Sequence, residues 1–241
     1  MEDKKTKNQN LVKFNEQLLK MTSLERIEWG YDVFNENYAF TTSFGIQSSV
    51  LLHLIQNSKL KHKTRIFWID TGYLPVETYT YADQLINKLD LKIEVLQSDL
   101  SPARMEAIYG KLWENQNKGD LEKYHKIRKV EPLEKALQKN SIECWVSGVR
   151  AQQTENRSKM KFIDRIRNRY ALRPLLGWTN KEVFYYMEEK DLPHHPLFNK
   201  GFSTVGDWHS SAPETAANKG RNTRFGGIKQ ECGLHTEDQN L

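Results

Sequence analysis

The sequence predicts an α/β fold: a doubly wound, mostly parallel sheet carrying a loop-rich C-terminal tail. Three observations predict it. The continuous apolar run RIFWI (65–69) fits a strand buried on both faces, as in a parallel sheet, and IECWV (142–146) reads as a further strand. Such runs alternate with segments of helical periodicity. Small and polar turn motifs follow the strands, where open α/β sheets bind ligands.

The elements follow in chain order. Leu11 to Lys20 is weakly amphipathic. Thr22-Ser23-Leu24-Glu25 is a capping box, and Ile27, Tyr31 and Phe34 recur behind it at helical spacing. Residues 1–37 are therefore a helical segment preceding an α/β domain at 38–192. YAFTTSF (38–44) is a strand rich in aromatic and β-branched residues. A helix pattern with Val50, Leu51, Leu54 and Ile55 comes next. Arg65 to Ile69 is the second strand, Pro75 to Leu89 a helix with Pro at its start, and Leu91 to Leu96 the third strand. Glu131 to Gln138 is helical, and Ile142 to Val146 is the fourth strand. Residues 150–160 are a polar loop, and Tyr170 to Leu176 a further strand. Thr179-Asn180-Lys181-Glu182 opens the last helix. Residues 193–241 shift to His, Pro, Gly, Ser and Asn, the composition of an extended tail that carries function.

The chain has 241 residues and a formal net charge of +5, with 36 Lys and Arg against 31 Asp and Glu. A mild excess of this kind suits a small anionic substrate as well as it suits nucleic acid. The cations are not gathered into one run, so no nucleic-acid partner is expected. No apolar stretch approaches a membrane span, and MEDKKTKNQN has no apolar signal core, so a cytoplasmic location and no membrane contact are expected. Two cysteines, Cys144 and Cys232, are too few for a disulfide scaffold or a four-thiolate metal site, so no bound metal is expected.

Four motifs carry chemistry. In Ser43-Phe44-Gly45-Ile46-Gln47-Ser48-Ser49, small residues between a strand and a helix let backbone N–H groups close around a phosphate. The pattern is not GxxxxGK[ST], which excludes a P-loop of that kind. An ordinary strand-to-helix turn is the plainer alternative. Asp70-Thr71-Gly72 ends the second strand and would lie beside the first motif, forming one nucleotide pocket with it; taken alone, Asp70 as the cap of a turn is the plainer alternative. Lys129, Arg150, Arg157, Arg224 and Lys229 form a basic set, and Arg suits phosphate and sulfate oxygens through its planar fork. Cys232 sits in KQECGLH, a polar, glycine-bearing stretch ill suited to core packing. A thiol there has an unperturbed pKa of about 8.5, which Lys229, His235 or an Arg at the site could lower. Cys144, inside IECWV, is core.

Together the motifs resemble the assimilatory sulfonucleotide reductases, specifically the thioredoxin-dependent phosphoadenylyl-sulfate (PAPS) reductases. The resemblance runs from Tyr38 to His235 through TTSFGIQSS, IDTGYLPVETY, YGKLWE, KVEPLEKAL, SGVRAQQTENR, LRPLLGW, HPLFNKGFSTVGDW and TRFGGIKQECGLH. It implies a PP-loop fold like that of the adenine nucleotide α-hydrolases. Gln47 stands where ATP-splitting members carry Asp. The resemblance also implies phosphate at Ser43, Phe44, Gly45, Gln47 and Ser48, and adenosine at Asp70, Thr71 and Gly72. The phosphosulfate would meet Lys129, Arg150, Arg157, Arg224, Lys229 and His235. Cys232 is the implied nucleophile. Its S-sulfocysteine would be cleared by thioredoxin or glutaredoxin, releasing sulfite after adenosine 3′,5′-bisphosphate has left. A homodimer is implied as well.

Cluster-bearing adenylyl-sulfate (APS) reductases carry cysteine pairs where this chain has Tyr124-His125 and Asp207-Trp208-His209-Ser210, so no iron–sulfur cluster is expected. The family's RREQS reads Arg150-Ala151-Gln152-Gln153-Thr154 here, one cation fewer. A cluster-free APS reductase, an ATP-using PP-loop enzyme and a nucleotide-binding redox sensor built on Cys232 stay open as alternatives.

Overall fold

The computed structural model describes residues 4–115, 117–227 and 233–235, with side chains from residue 10 onward. A six-stranded sheet has the order β3-β2-β1-β4-β6-β5. Its strands are β1 (Tyr38–Thr42), β2 (Arg65–Ile69), β3 (Ile93–Leu96), β4 (Cys144–Val146), β5 (Ile163–Ile166) and β6 (Arg169–Leu172). All neighbours pair in parallel except β5 with β6, which form an antiparallel hairpin at one edge.

Helices cover both faces, as buried parallel strands require. On one face the core joins Ile66 and Trp68 to α1 (Lys4–Leu19), α2 (Ser23–Phe34), α3 (Ser48–Gln56) and α4 (Val76–Leu89) through Leu18, Ile27, Leu52 and Tyr81. Leu18, Ile27 and Phe34 lie in that same core, so the N-terminal helices pack as part of the α/β body. Helix α9 (Asn180–Glu189) adds Val183 and Met187 to it. On the other face α7 (Glu131–Lys139) sets Leu133 and Leu137 against Phe67 and Trp145. The capping boxes at Thr22 and Thr179 both form, with Glu25 and Glu182 closing them.

Two short helices escape the sequence pattern: α5 (Pro102–Tyr109) and α6 (Lys118–His125). Each buries few side chains, and they roof a separate cluster of Tyr73, Met105, Leu112, Trp113, Leu121 and Tyr124. A wide, π-type turn over Lys126–Val130 joins α6 to α7. Pro132 follows it and has no N–H to offer the carbonyl of Arg128, which accounts for the widened winding there. The remaining helix, α8 (Glu155–Ser158), lies within the expected polar loop.

Four strands are shorter than expected, two of them at their starts: β3 begins at Ile93 rather than Leu91, and β4 at Cys144 rather than Ile142. The first strand stops at Thr42 because Phe44 turns to φ 46°. The last parallel strand ends at Leu172, short of Leu176, where Arg173 and Pro174 begin a turn.

Candidate functional site

Strand order reverses between β1 and β4, and a cleft of ≈ 220 Å³ opens at their carboxyl ends. This is the switch point at which open α/β sheets bind ligands. The loop after β1 lines it with Ser43, Gly45, Gln47 and Ser48. The loop after β4 adds Ser147, Gly148 and Arg150. The tail crosses above with Ser203 to Asp207, Arg221 and Arg224. Leu234 and His235 close one side.

The two loops touch each other. The Arg150 guanidinium donates to Gln47 Oε1, and its Nη1 donates to Asn180 Oδ1 at 2.8 Å. Burial lowers the Arg150 pKa to about 10, with Arg157 pushing the same way. Arg150 therefore remains a cation near neutrality, poised to recover the hydration it has lost by meeting an anion. Arg157 Nη1 donates to Gln153 Oε1, which also accepts from the Arg150 backbone N–H at 3.0 Å, so one amide ties the two residues together.

Across the cleft, Asp207 is fully buried and holds three elements together. Lys129 Nζ lies 2.7 Å from its Oδ2, and Thr71 donates to its Oδ1. Burial alone would raise the Asp207 pKa. The charges of Lys129 and Arg224, with the hydrogen bonds from Lys129 and Thr71, outweigh it and hold the carboxyl well below its ordinary value. Arg224 Nη2 donates to Ser210 Oγ at 2.7 Å. Gly206 lies against it: a Cβ there would overlap the Arg224 guanidinium and force that side chain to move.

The structure brings most of the sequence-derived set together. Ser43, Gly45, Gln47, Ser48, Thr71, Lys129, Arg150, Arg157, Arg224 and His235 all line the cleft. Three do not. The Phe44 side chain is wholly buried in the core, edge-on to Trp68 at 4.8 Å. Asp70 accepts from Gly72 N, Tyr79 Oη and Gln97 Nε2, so it organises the turn after β2. Gly72, at φ 74°, completes that turn. Cys232 and Lys229 lie outside the described residues.

His235 is half-buried and stacks on Trp145, ring centroids 5.2 Å apart. Burial lowers its pKa, and Arg157, Arg173, Arg221 and Arg167 lower it further. Cys144 is buried in β4, and burial raises its thiol pKa well above the ordinary value. That environment disfavours a thiolate.

Sequence reasoning missed Arg221 and Gln153 as lining residues and Asp207 as the central anion. The only available signal for Asp207 was a carboxylate inside an otherwise uncharged STVGDW stretch. Tyr124, His125, Asp207 and Ser210 are all buried. His209 packs among them, stacked on Trp113 at 4.1 Å with Nε2 3.0 Å from Tyr124 Oη. Among the described residues, no group of three or more His, Cys, Asp or Glu is placed to hold a metal ion. Nor is any described helix long and apolar enough to cross a membrane.

Comparison with known proteins fits this geometry. A family model described as the phosphoadenosine phosphosulfate reductase domain matches residues 37–213. A phosphoadenosine 5′-phosphosulfate reductase of Synechococcus sp. is 48% identical, across 94% of this chain and 97% of its own. One from Synechocystis sp. is 47% identical, across 89% and 86%. Among solved structures, a PAPS reductase from Candida auris in a phosphate complex superposes with a TM-score of 0.70 at 24% identity, covering 82% of this chain and 94% of that one. An FMN adenylyltransferase from Candida glabrata bound to ATP gives 0.58 at 16% identity, over 81% and 68%. These two likenesses concern the fold alone, an α/β sheet. The family-model match and the two curated relatives decide the assignment: the chain belongs to the phosphoadenosine phosphosulfate reductase family.

Proposed function

We propose that this protein reduces PAPS to sulfite and adenosine 3′,5′-bisphosphate, with thioredoxin or glutaredoxin as electron donor. One observation carries the reading. A cleft at the sheet's switch point is lined by Lys129, Arg150, Arg157, Arg221 and Arg224, and is flanked by Leu234 and His235, which follow Cys232 closely in the chain. A multiply charged nucleotide needs such a set of cations, and a nucleophile must be delivered beside it.

The Cys232 thiolate attacks the sulfur of the sulfonyl group. The bond from that sulfur to the bridging phosphate oxygen breaks, and adenosine 3′,5′-bisphosphate takes the electron pair. Cys232 is left as S-sulfocysteine. A redoxin thiolate then attacks the Cys232 sulfur and expels sulfite, forming a mixed disulfide. The redoxin's second thiol resolves it, returning Cys232 as a thiol and leaving the redoxin oxidised. The guanidinium groups spread the charge of the transferring group.

Cys144 is too buried to serve as an internal resolving thiol, which supports an external dithiol. No iron–sulfur cluster enters the scheme, since the four corresponding positions hold Tyr124, His125, Asp207 and Ser210. We place the reaction in the cytoplasm, where redoxins are kept reduced, and take the enzyme to act as a homodimer. Purified protein with thioredoxin should release sulfite from PAPS much faster than from APS. A preference for APS would instead mark a cluster-free APS reductase.

A further inference from the structure

The turn between β5 and β6 is only two residues long, Arg167 and Asn168, both with positive φ (48° and 64°). This is the tight, twisted turn that antiparallel hairpins favour. It projects Arg167 towards the carboxyl-terminal segment. Arg167 Nε is 2.6 Å from Glu134 Oε1 on α7. Its Nη1 donates to the carbonyl of Gly233 at 3.2 Å, and its Nη2 to the carbonyl of Leu234 at 3.1 Å. One planar fork thus joins a helix to two consecutive backbone oxygens. Arg169 donates to the second oxygen of Glu134, so the carboxylate is itself held.

The segment so gripped is built to lie there. Gly233 takes φ 76°, a conformation that side chains rarely adopt. A Cβ on it would stand 3.6 Å from Val130 and 3.9 Å from His125, so the backbone rests on the π-type turn and the end of α6. Leu234 packs on the α7-side core, and His235 stacks on Trp145. Arg167 does not line the cleft.

We infer that Arg167, oriented by Glu134, is a positioning residue: it clasps Gly233 and Leu234 and so sets where the adjoining Cys232 meets the substrate. This rests on the proposed reduction for its chemistry, but the clasp itself can be read without turnover. Arg suits the role because its donors are fixed in one plane. Lys offers its three donors from a single nitrogen and so does not reproduce the planar fork that meets Glu134 and both carbonyls.

The test uses the full chain with Arg167→Met and Arg167→Lys. Sulfonation of Cys232 by PAPS, followed by intact mass without reductant, should slow about tenfold or more in both variants, as expected when a charge-assisted hydrogen bond is lost. Affinity for adenosine 3′,5′-bisphosphate should fall far less than the sulfonation rate, because Lys129, Arg150, Arg157 and Arg224 still line the cleft and only its Leu234–His235 side is loosened. Arg167→Lys keeps the charge and stem, so it carries the test should Arg167→Met fail to fold. Amide exchange of a peptide spanning residues 233–235 should accelerate in both variants while β4 stays protected. Wild-type sulfonation and wild-type exchange in a folded variant would overturn the assignment. A wild-type protein that never sulfonates, with the exchange difference intact, would sink the proposed chemistry and leave the clasp standing.

Discussion

Lys129 Nζ sits 2.7 Å from Asp207 Oδ2 in a pair whose side chains are 9% and 0% exposed. The residues are far apart in sequence, and their pairing ties the π-type turn before α7 to the tail that roofs the cleft. Thr71, after β2, hydrogen-bonds the same carboxylate. Three loops are thereby fixed around one buried charge.

Breaking that pair should be costly. Asp207→Asn leaves Lys129 and Arg224 without their counter-charge, and removing one partner of a buried pair costs about 3–5 kcal/mol. Chemical denaturation should show a loss of that order. The exposed Lys159–Glu155 pair is the control: Lys159→Met should shift stability by less than about 1 kcal/mol. Equal effects for the two would mean that Asp207 is not the organising charge.

Arg150→Met should weaken nucleotide binding roughly tenfold to a hundredfold, as a charge-assisted hydrogen bond of about 1.5–3 kcal/mol is lost. Calorimetric titration with adenosine 3′,5′-bisphosphate reads this directly. Gln47→Ala, which removes the acceptor of the Arg150 guanidinium, should have a smaller effect in the same direction.

His195 should make stability sensitive to mild acid. It is fully buried, accepts from Leu197 N at Nδ1, and lies 3.0 Å from Thr78 Oγ1 through Nε2. The neutral ring, protonated on Nε2, satisfies both contacts. Burial lowers its pKa from 6.5 to about 4, partly offset by Glu77. The unfolded chain therefore takes up the proton first. The contribution is fully present above pH 6.5 and is lost as pH falls towards 4, on the order of 1–3 kcal/mol. His195→Gln should flatten this part of the stability–pH profile; an unchanged slope would contradict the account.

Cys144→Ser should keep sulfite formation, because Cys144 lies in the β4 core and does not line the cleft. Its cost should fall on stability, since a hydroxyl replaces an apolar-packed thiol. A folded but inactive variant would show that the second sulfur takes part in the chemistry.

The parts legible in the sequence were those with strong local signatures. RIFWI and the CWV of IECWV form the strands their residue types suggested, and the capping boxes at Thr22 and Thr179 announced their helices. The β5 strand was hidden because Asp164 and Arg165 break its apolar run; as an edge strand it leaves both half-exposed. Helices α5 and α6 span eight residues each with little apolar periodicity, and tertiary packing around Tyr73 and Trp113 holds them. The loops after β1 and β4 were recognisable as a site from their position alone. Asp207 and Arg167 were not, since each acts through partners distant in sequence, and Arg221 lines the cleft from a loop-rich stretch with no strand or helix pattern to place it.

Mass analysis of the protein after incubation with PAPS in the absence of any reductant tests the central claim most directly. The account predicts one SO3 group on the peptide containing Cys232, released as sulfite on adding reduced thioredoxin, and no such group in Cys232→Ser, which should still bind adenosine 3′,5′-bisphosphate. An unmodified Cys232 peptide under conditions where the nucleotide is bound would contradict it.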